Sequence, residues 1–131
     1  MASLGSLLLA STDPDRLGAW YVEALRPTDD ATVGTYRMLK FGEFYVMIDS
    51  RDDVGAANRE PGRLILNFDV ADARATAARI DGLGATWLAP LEDRDGSLFG
   101  TAIDPDGNYV QIIELSQAHK DAMAEAQPAG A

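Results

Sequence analysis

One order of predicted elements occurs twice in this sequence, and the repetition limits the folds that the chain can adopt. Leu4–Ser11 is a short apolar run, which is typical of a buried strand. Asp13, followed by a proline, can begin the amphipathic helix predicted over residues 14–25. Residues 32–41 and 43–49 are predicted as strands. The first half therefore contains a strand, a helix and further strands.

The second half repeats this order after a polar stretch. A strand is predicted over residues 64–70, and Asp72 can cap the helix that follows it. Residues 85–91, 97–103 and 109–115 are predicted as the remaining strands. The order of elements, more than residue identity, indicates an internal repeat.

The repeat also aligns the two halves residue by residue. Aligning Asp13 with Asp72 places residues 6–9 beside residues 65–68. The last strands of the two halves align residues 45–48 with residues 109–112.

We therefore predict a single domain, residues 1–131, built from two modules. Its parts are module one, residues 4–50; a polar linker, residues 51–62; module two, residues 63–115; and an Ala-rich tail, residues 116–131. The tail is predicted as a short helix that frays at residues 128–130.

Composition excludes several classes of function. The chain has no Cys and one His, His119, which excludes thiolate chemistry and any His-rich metal site. Its net charge of −10 would repel a phosphate backbone or an anionic membrane, so we expect no nucleic-acid or membrane partner. No run approaches the roughly 20 apolar residues of a membrane span. The first ten residues lack the basic region of a signal peptide, so we expect a cytoplasmic protein.

A strong turn motif, Asp-Pro-Asp-Gly-Asn at residues 104–108, separates the last two predicted strands. Together with Asp13 leading into Trp20-Tyr21, and with Val70-Ala71-Asp72 leading into a helix, it resembles the vicinal oxygen chelate superfamily over residues 4–115. That superfamily includes glyoxalase I, extradiol dioxygenases and the bleomycin-resistance proteins. The resemblance implies an α+β fold in which two βαβββ modules form a curled mixed sheet around a cavity, often completed by dimerisation.

Enzymes of this superfamily hold a divalent metal on the first and last strands of each module, usually through His, Gln and Glu side chains. The matching positions here are Ser6, Met47, Ile65 and Gln111. Of these four residues, only Gln111 is a plausible ligand for a hard cation, which needs several oxygen or nitrogen donors. Glu114 lies an odd number of residues away and faces the other side of the strand. We therefore expect no metal and no cofactor.

Alternation of side chains along the strands separates two faces of the predicted sheet. The wholly apolar set, expected to pack on the helices, is Leu7, Leu9, Val46, Ile48, Leu66, Phe68, Val70, Val110 and Ile112. The other set mixes polar and apolar residues, as the wall of a small-molecule pocket does. From it we predict eight ligand-binding residues, namely Ser6, Tyr45, Met47, Ile65, Asn67, Asp69, Tyr109 and Gln111.

Other polar and aromatic residues have simpler interpretations. His119 is expected to be a solvated residue of the tail, and residues 92–95 to form a solvated acidic loop. Trp20 is expected in the core. Trp87 and Phe99 lie on strands whose register the sequence does not define.

The function that we predict is metal-independent binding of a small organic molecule, for sequestration or sensing, by a homodimer. A metal-dependent lyase, isomerase or dioxygenase with a different ligand set is the first alternative. An enzyme without metal that uses Asp69 or Glu43 for proton transfer, and an interaction module without a ligand, are the others. No catalytic residue is assigned.

Overall fold

A computed structural model describes residues 1–126, and both modules have the predicted βαβββ order. The first module consists of β1 (Ser6–Ser11), α1 (Pro14–Leu25), β2 (Asp29–Val33), β3 (Tyr36–Phe41) and β4 (Phe44–Ser50). The second consists of β5 (Leu66–Asp69), α2 (Ala73–Gly82), β6 (Trp87–Arg94), β7 (Ser97–Ile103) and β8 (Tyr109–Glu114), and α3 (Gln117–Ala126) follows. The fraying predicted for residues 128–130 lies outside the described residues.

Each module forms a four-stranded mixed sheet, so the predicted α+β fold class is confirmed. The strand orders are β1-β4-β3-β2 and β5-β8-β7-β6, and in each sheet the first strand pairs in parallel with the last. Leu7 pairs with Val46, and Leu66 pairs with Val110. These are the equivalent positions of the aligned halves, so the two parallel pairs have the same register.

The chain divides into two compact units whose boundaries differ slightly from those of the modules. The first unit contains Met1–Pro61 and also Asp104–Asn108, the turn between β7 and β8. The second contains Gly62–Ile103 and the described residues that follow Asn108. In the first unit α1 packs on β1 and β4, and in the second α2 packs on β6, β7 and β8.

The prediction of one continuous strand over residues 32–41 is wrong, because a hairpin turn divides this segment into β2 and β3. Val33 pairs with Tyr36 across a two-residue turn that begins with Gly34. Gly34 has φ +62°, a backbone conformation that side chains with a Cβ rarely adopt. A glycine at the first position of a two-residue loop is a hairpin signal, which the length of the apparent strand concealed.

Three other details of the second half of the chain differ from the predictions. Strand β5 begins at Leu66, so Ile65 precedes the strand. Glu92 and Asp93 belong to β6, where they pair with β7, and are not part of a loop. His119 is half-buried, with its Nδ1 against the hydroxyl of the fully buried Ser97, and is not a solvated tail residue.

The helices begin where their capping residues predict. The Asp13 carboxylate accepts from the backbone N–H of Arg16 at 3.2 Å, and Asp72 accepts from that of Ala75 at 3.0 Å. These contacts satisfy N–H groups that have no partner within the helix. In the described part of the chain, no helix is both long and apolar enough to cross a membrane.

A buried carboxylate organises the Asp104–Asn108 turn. Asp104 Oδ1 accepts from the backbone N–H groups of Asp106 (2.8 Å) and Asn108 (3.0 Å). Its Oδ2 accepts from the Asn108 side-chain amide at 2.9 Å and from the buried hydroxyl of Tyr21 at 2.6 Å. The turn is therefore fastened to α1 inside the first unit.

Burial changes the acidity of both side chains. It raises the pKa of the Asp104 carboxyl above its ordinary value of 3.8, although the hydrogen bonds from Tyr21 and Asn108 oppose the rise. It raises the pKa of Tyr21 well above 10.0, and the neighbouring Asp104 adds to this rise. The Tyr21 phenol thus stays protonated and remains a donor.

We expect Tyr21→Phe to lower the free energy of unfolding by about 2 kcal/mol, since it removes a donor to a buried carboxylate. Chemical denaturation measures this change. Tyr36→Phe is the matched control, because Tyr36 is 39% exposed. Equal losses in the two variants would show that the Tyr21 hydroxyl contributes no specific stability.

Stability should also depend on the protonation of Asp104. Because its pKa is raised in the folded state, its stabilising contribution is complete below pH 3.8 and is lost as the pH rises through the folded pKa. As the pH rises from 3.8 through the folded pKa of Asp104, the wild type should therefore lose free energy of unfolding relative to Asp104→Asn. A difference that stays constant from pH 3 to pH 6, or shifts the other way, would contradict the raised pKa.

Candidate functional site

Each sheet has one face covered by helix and one open face. The apolar set predicted to face the helices is mostly buried, and Val46, Ile48, Val110 and Ile112 are at most 2% exposed. Glu114 also lies on the helix side, where its carboxylate accepts from the backbone N–H of Ala73 at 2.8 Å. A capping role at α2 thus accounts for this carboxylate.

The open face of the first sheet carries three of the predicted site residues. Ser6 is exposed at the start of β1 and pairs with Tyr45. Met47 lies on the same face, where it pairs with Leu8 of β1 and Met38 of β3. The structure therefore brings these three side chains onto one surface, although Ser6 and Met47 are not directly opposed.

Tyr45 has a neighbour that the sequence pattern did not identify. The Lys40 ammonium lies 5.9 Å from the centroid of the Tyr45 ring, within the range of a cation–π contact. One face of this ring is therefore partly covered by a cation.

The open face of the second sheet carries Asn67, Asp69, Tyr109 and Gln111. Gln111 pairs with Asn67 on β5 and with Thr101 on β7, so two side-chain amides lie side by side. Asp69 is exposed beside Ile113. Ile65, the remaining predicted residue, is 43% exposed and lies just before the strand.

The structure defines the register of the two aromatic residues that the sequence left open. Trp87 is on the helix side, and its indole N–H donates to the Asp81 carboxylate at 2.7 Å. Phe99 is on the open face beside Ile113, with the Arg94 guanidinium 5.3 Å from its ring centroid. Trp20 is 7% exposed and packs edge-on against Tyr21, as expected of a core residue.

Within residues 1–126, no three His, Asp or Glu side chains are grouped so as to hold a metal ion. The positions that the superfamily uses for its metal carry one hydroxyl (Ser6), one thioether (Met47), one hydrocarbon (Ile65) and one amide (Gln111). This donor set has no anionic oxygen and no imidazole, so it does not fit a hard dication.

The first unit also contains a cavity of about 430 Å³ that sequence reasoning missed. Its walls are Ala10 at the end of β1, loop residues between Val54 and Arg59, and the turn residues Asp106 and Asn108. The sequence marked residues 51–62 only as a polar linker. Contacts between that loop and a turn 50 residues away have no local sequence signal.

A shallower cavity of about 620 Å³ lies where β1 and β4 end, and is lined by Ser11, Thr12 and residues 50–52. The Arg51 guanidinium beside it donates to both carboxylate oxygens of Asp53, at 2.8 and 2.6 Å. This contact lowers the pKa of Asp53. The cation at this cavity is thus already paired.

Comparisons with known proteins agree with the geometry. The glyoxalase-like domain model matches residues 6–113. No curated protein matches the sequence.

Solved structures share the fold at low identity. A glyoxalase/bleomycin resistance protein/dioxygenase family enzyme from Burkholderia phytofirmans PsJN has a TM-score of 0.71 at 16% identity, covering 88% of this chain and 100% of that one. The fosfomycin resistance protein FosX from Mesorhizobium loti has a TM-score of 0.70 at 14% identity (92% and 98% covered). The oxidase ChaP-H2 has a TM-score of 0.72 at 16% identity (88% and 94%).

The domain model confirms the glyoxalase-like resemblance that the turn motif and the repeat indicated, and the solved structures confirm the fold. Since the family model spans both modules, the chain belongs to the glyoxalase-like domain family.

Proposed function

We propose that this protein binds a small organic molecule without a metal ion, in the cytoplasm, and so sequesters or senses it. The observation that carries the proposal is the contrast between the two faces of each sheet. The helix side is mostly apolar and mostly closed, whereas the open side presents hydrogen-bonding groups among apolar ones. Binding surfaces for small molecules combine these two kinds of group.

The proposed binding residues are Ser6, Tyr45 and Met47 on the first sheet and Ile65, Asn67, Asp69, Tyr109 and Gln111 in the second module. The adjacent amides of Asn67 and Gln111 each offer a donor and an acceptor, which suits a carbonyl or hydroxyl group of a ligand. Met47 and the ring of Tyr45 supply apolar contact area. Two structural neighbours carry resistance to fosfomycin or bleomycin in their names, which supports a ligand of drug size.

Metal independence is proposed from the chemistry of the donor set. Gln111 is neutral, and Ser6 is a weak neutral ligand. A site without an anionic donor does not compensate a dication for its lost hydration. The alternative, a metal-dependent lyase, isomerase or dioxygenase, requires donors at other positions than these four.

Ligand binding is tested on the purified protein after EDTA treatment. We expect native mass spectrometry to show a co-purified molecule, or calorimetry to show binding of fosfomycin or bleomycin used as probes. Gln111→Leu should lower the affinity for the probe about fivefold, the equivalent of one hydrogen bond of about 1 kcal/mol. Gln117→Leu, an exposed glutamine of α3, is the control. Absence of both a bound mass and probe binding would overturn the proposal.

Metal content is tested separately by dialysis against zinc, manganese or nickel and elemental analysis. We expect far less than one ion per chain, with no difference between the wild type and Gln111→Leu, because Gln111 alone cannot hold a dication. Stoichiometric metal that is lost on Gln111→Leu would instead favour the metal-dependent enzyme.

We also propose that the protein is a homodimer. β2 is an outer strand of its sheet and all five of its residues are exposed, while Leu8 and Val33 on the open face are 42% and 58% exposed. An unpaired strand edge beside exposed apolar side chains favours association with a second copy.

Sedimentation should give about twice the 14.0 kDa monomer mass, and Val33→Lys should shift the protein toward monomer by placing a charge in the interface. Leu83→Lys, a similar change at the end of α2, is expected to leave the dimer intact. A 14.0 kDa species throughout the micromolar range would contradict the homodimer.

A further inference from the structure

The cavity of about 430 Å³ in the first unit has one anionic wall and one cationic wall. From this arrangement we propose that it binds a small zwitterion of the amino-acid type. The ligand's ammonium group contacts Asp106, its carboxylate contacts Arg59, and its side chain contacts Val54 and Ala57. None of the eight residues proposed above lines this cavity, so the site is additional to the proposed function.

Asp106 is suited to receive the ammonium group. Its side chain is only 9% exposed, although it lines the cavity. Within residues 1–126 its ion pair is with Arg16 and is long at 3.4 Å, and Arg16 itself is 56% exposed. A carboxylate with so little hydration and so weak a partner gains strongly from a cation that forms a short, charge-assisted hydrogen bond.

Arg59 provides the opposite charge. Among the described residues of the first unit, Arg16, Arg37 and Arg51 form ion pairs with carboxylates, and Arg59 takes part in none of these pairs. Its guanidinium is therefore available to a ligand carboxylate, which it can bind through two parallel hydrogen bonds.

The framework between the two charges is held in place before any ligand arrives. The backbone N–H of Asn58 donates to the carbonyl of Asp106 at 2.7 Å, and its side-chain amide donates to Asn108 Oδ1 at 2.9 Å. The Asn58 Oδ1 accepts from the backbone N–H of Glu60 at 3.0 Å. The loop that carries Arg59 is thus tied to the turn that carries Asp106, so binding requires little ordering of the backbone.

The remaining walls define the middle of the ligand. Ala10, Val54 and Ala57 present small apolar side chains, and Gly55 leaves space beside them. A cavity of this volume accepts a short aliphatic chain between the two charged groups. L-leucine carries an ammonium group, a carboxylate and a short aliphatic chain, so it is a suitable probe.

Three probes of the same shape separate the contribution of each charge. L-leucine has both charged groups, 4-methylpentanoate lacks the ammonium, and isoamylamine lacks the carboxylate. Binding at millimolar concentrations is followed by NMR shifts of the backbone amides of Gly55, Ala57 and Asn58. We expect leucine to bind at least about tenfold more tightly than either single-charge probe, because each charge-assisted contact contributes about that factor.

Two variants assign the charges to residues. Asp106→Asn should remove the preference for leucine over 4-methylpentanoate, and Arg59→Gln should remove the preference for leucine over isoamylamine. Arg59 is exposed, so its variant tests the proposal even if Asp106→Asn proves unstable. Arg51→Gln, in the same loop but paired with Asp53, is the control and should change neither preference.

Equal affinity for the three probes would overturn the proposal, as would a preference that persists in both variants. The absence of shifts at these amides with all three probes would overturn it too. Probe binding that responds to Gln111→Leu rather than to Asp106→Asn would place the zwitterion on the open sheet face instead. The two proposals therefore fail in distinguishable ways.

Discussion

The parallel pair between the first and last strands of each module is the constraint on which the other features depend. Because the last strand pairs with the first, the second strand lies at the opposite edge of the sheet. The helix that joins the first strand to the second must therefore cross one face of the sheet, and that face becomes mostly apolar. The pairs Leu7–Val46 and Leu66–Val110 then determine which side chains are left on the open face. The amides of Asn67 and Gln111 are neighbours for this reason alone.

Features with a local or periodic signal could be predicted from the sequence. The helix starts at Asp13 and Asp72, the two faces of each sheet, and the alignment of the halves all follow from side-chain chemistry and strand alternation. The Gly34 hairpin was missed because strand propensity on both sides outweighed one glycine. His119 was misplaced because its partner, Ser97, is 22 residues away in the chain.

The candidate sites also divide into residues with a local or periodic sequence signal and residues without one. The open-face residues were predicted from alternation, whereas the position of Ile65 depended on where β5 begins, and strand ends are weakly encoded. The cavity beside Asp106 had no signal at all, since its walls come from three distant segments. Asp104 and Asp106 have the same side chain in the same turn motif. The Asp104 carboxylate accepts hydrogen bonds from the turn, whereas the Asp106 carboxylate lines a cavity.

The Asp104 network has a consequence for how the first unit opens. Amides in an exposed turn ordinarily exchange their hydrogens with solvent within local fluctuations. Those of Asp106 and Asn108 instead donate to a buried carboxylate that the Tyr21 hydroxyl also holds. Deuterium therefore enters these two positions only when α1 separates from the turn. Hydrogen exchange at these turn amides thus reports the opening of the first unit, which is usually followed through the amides of strands.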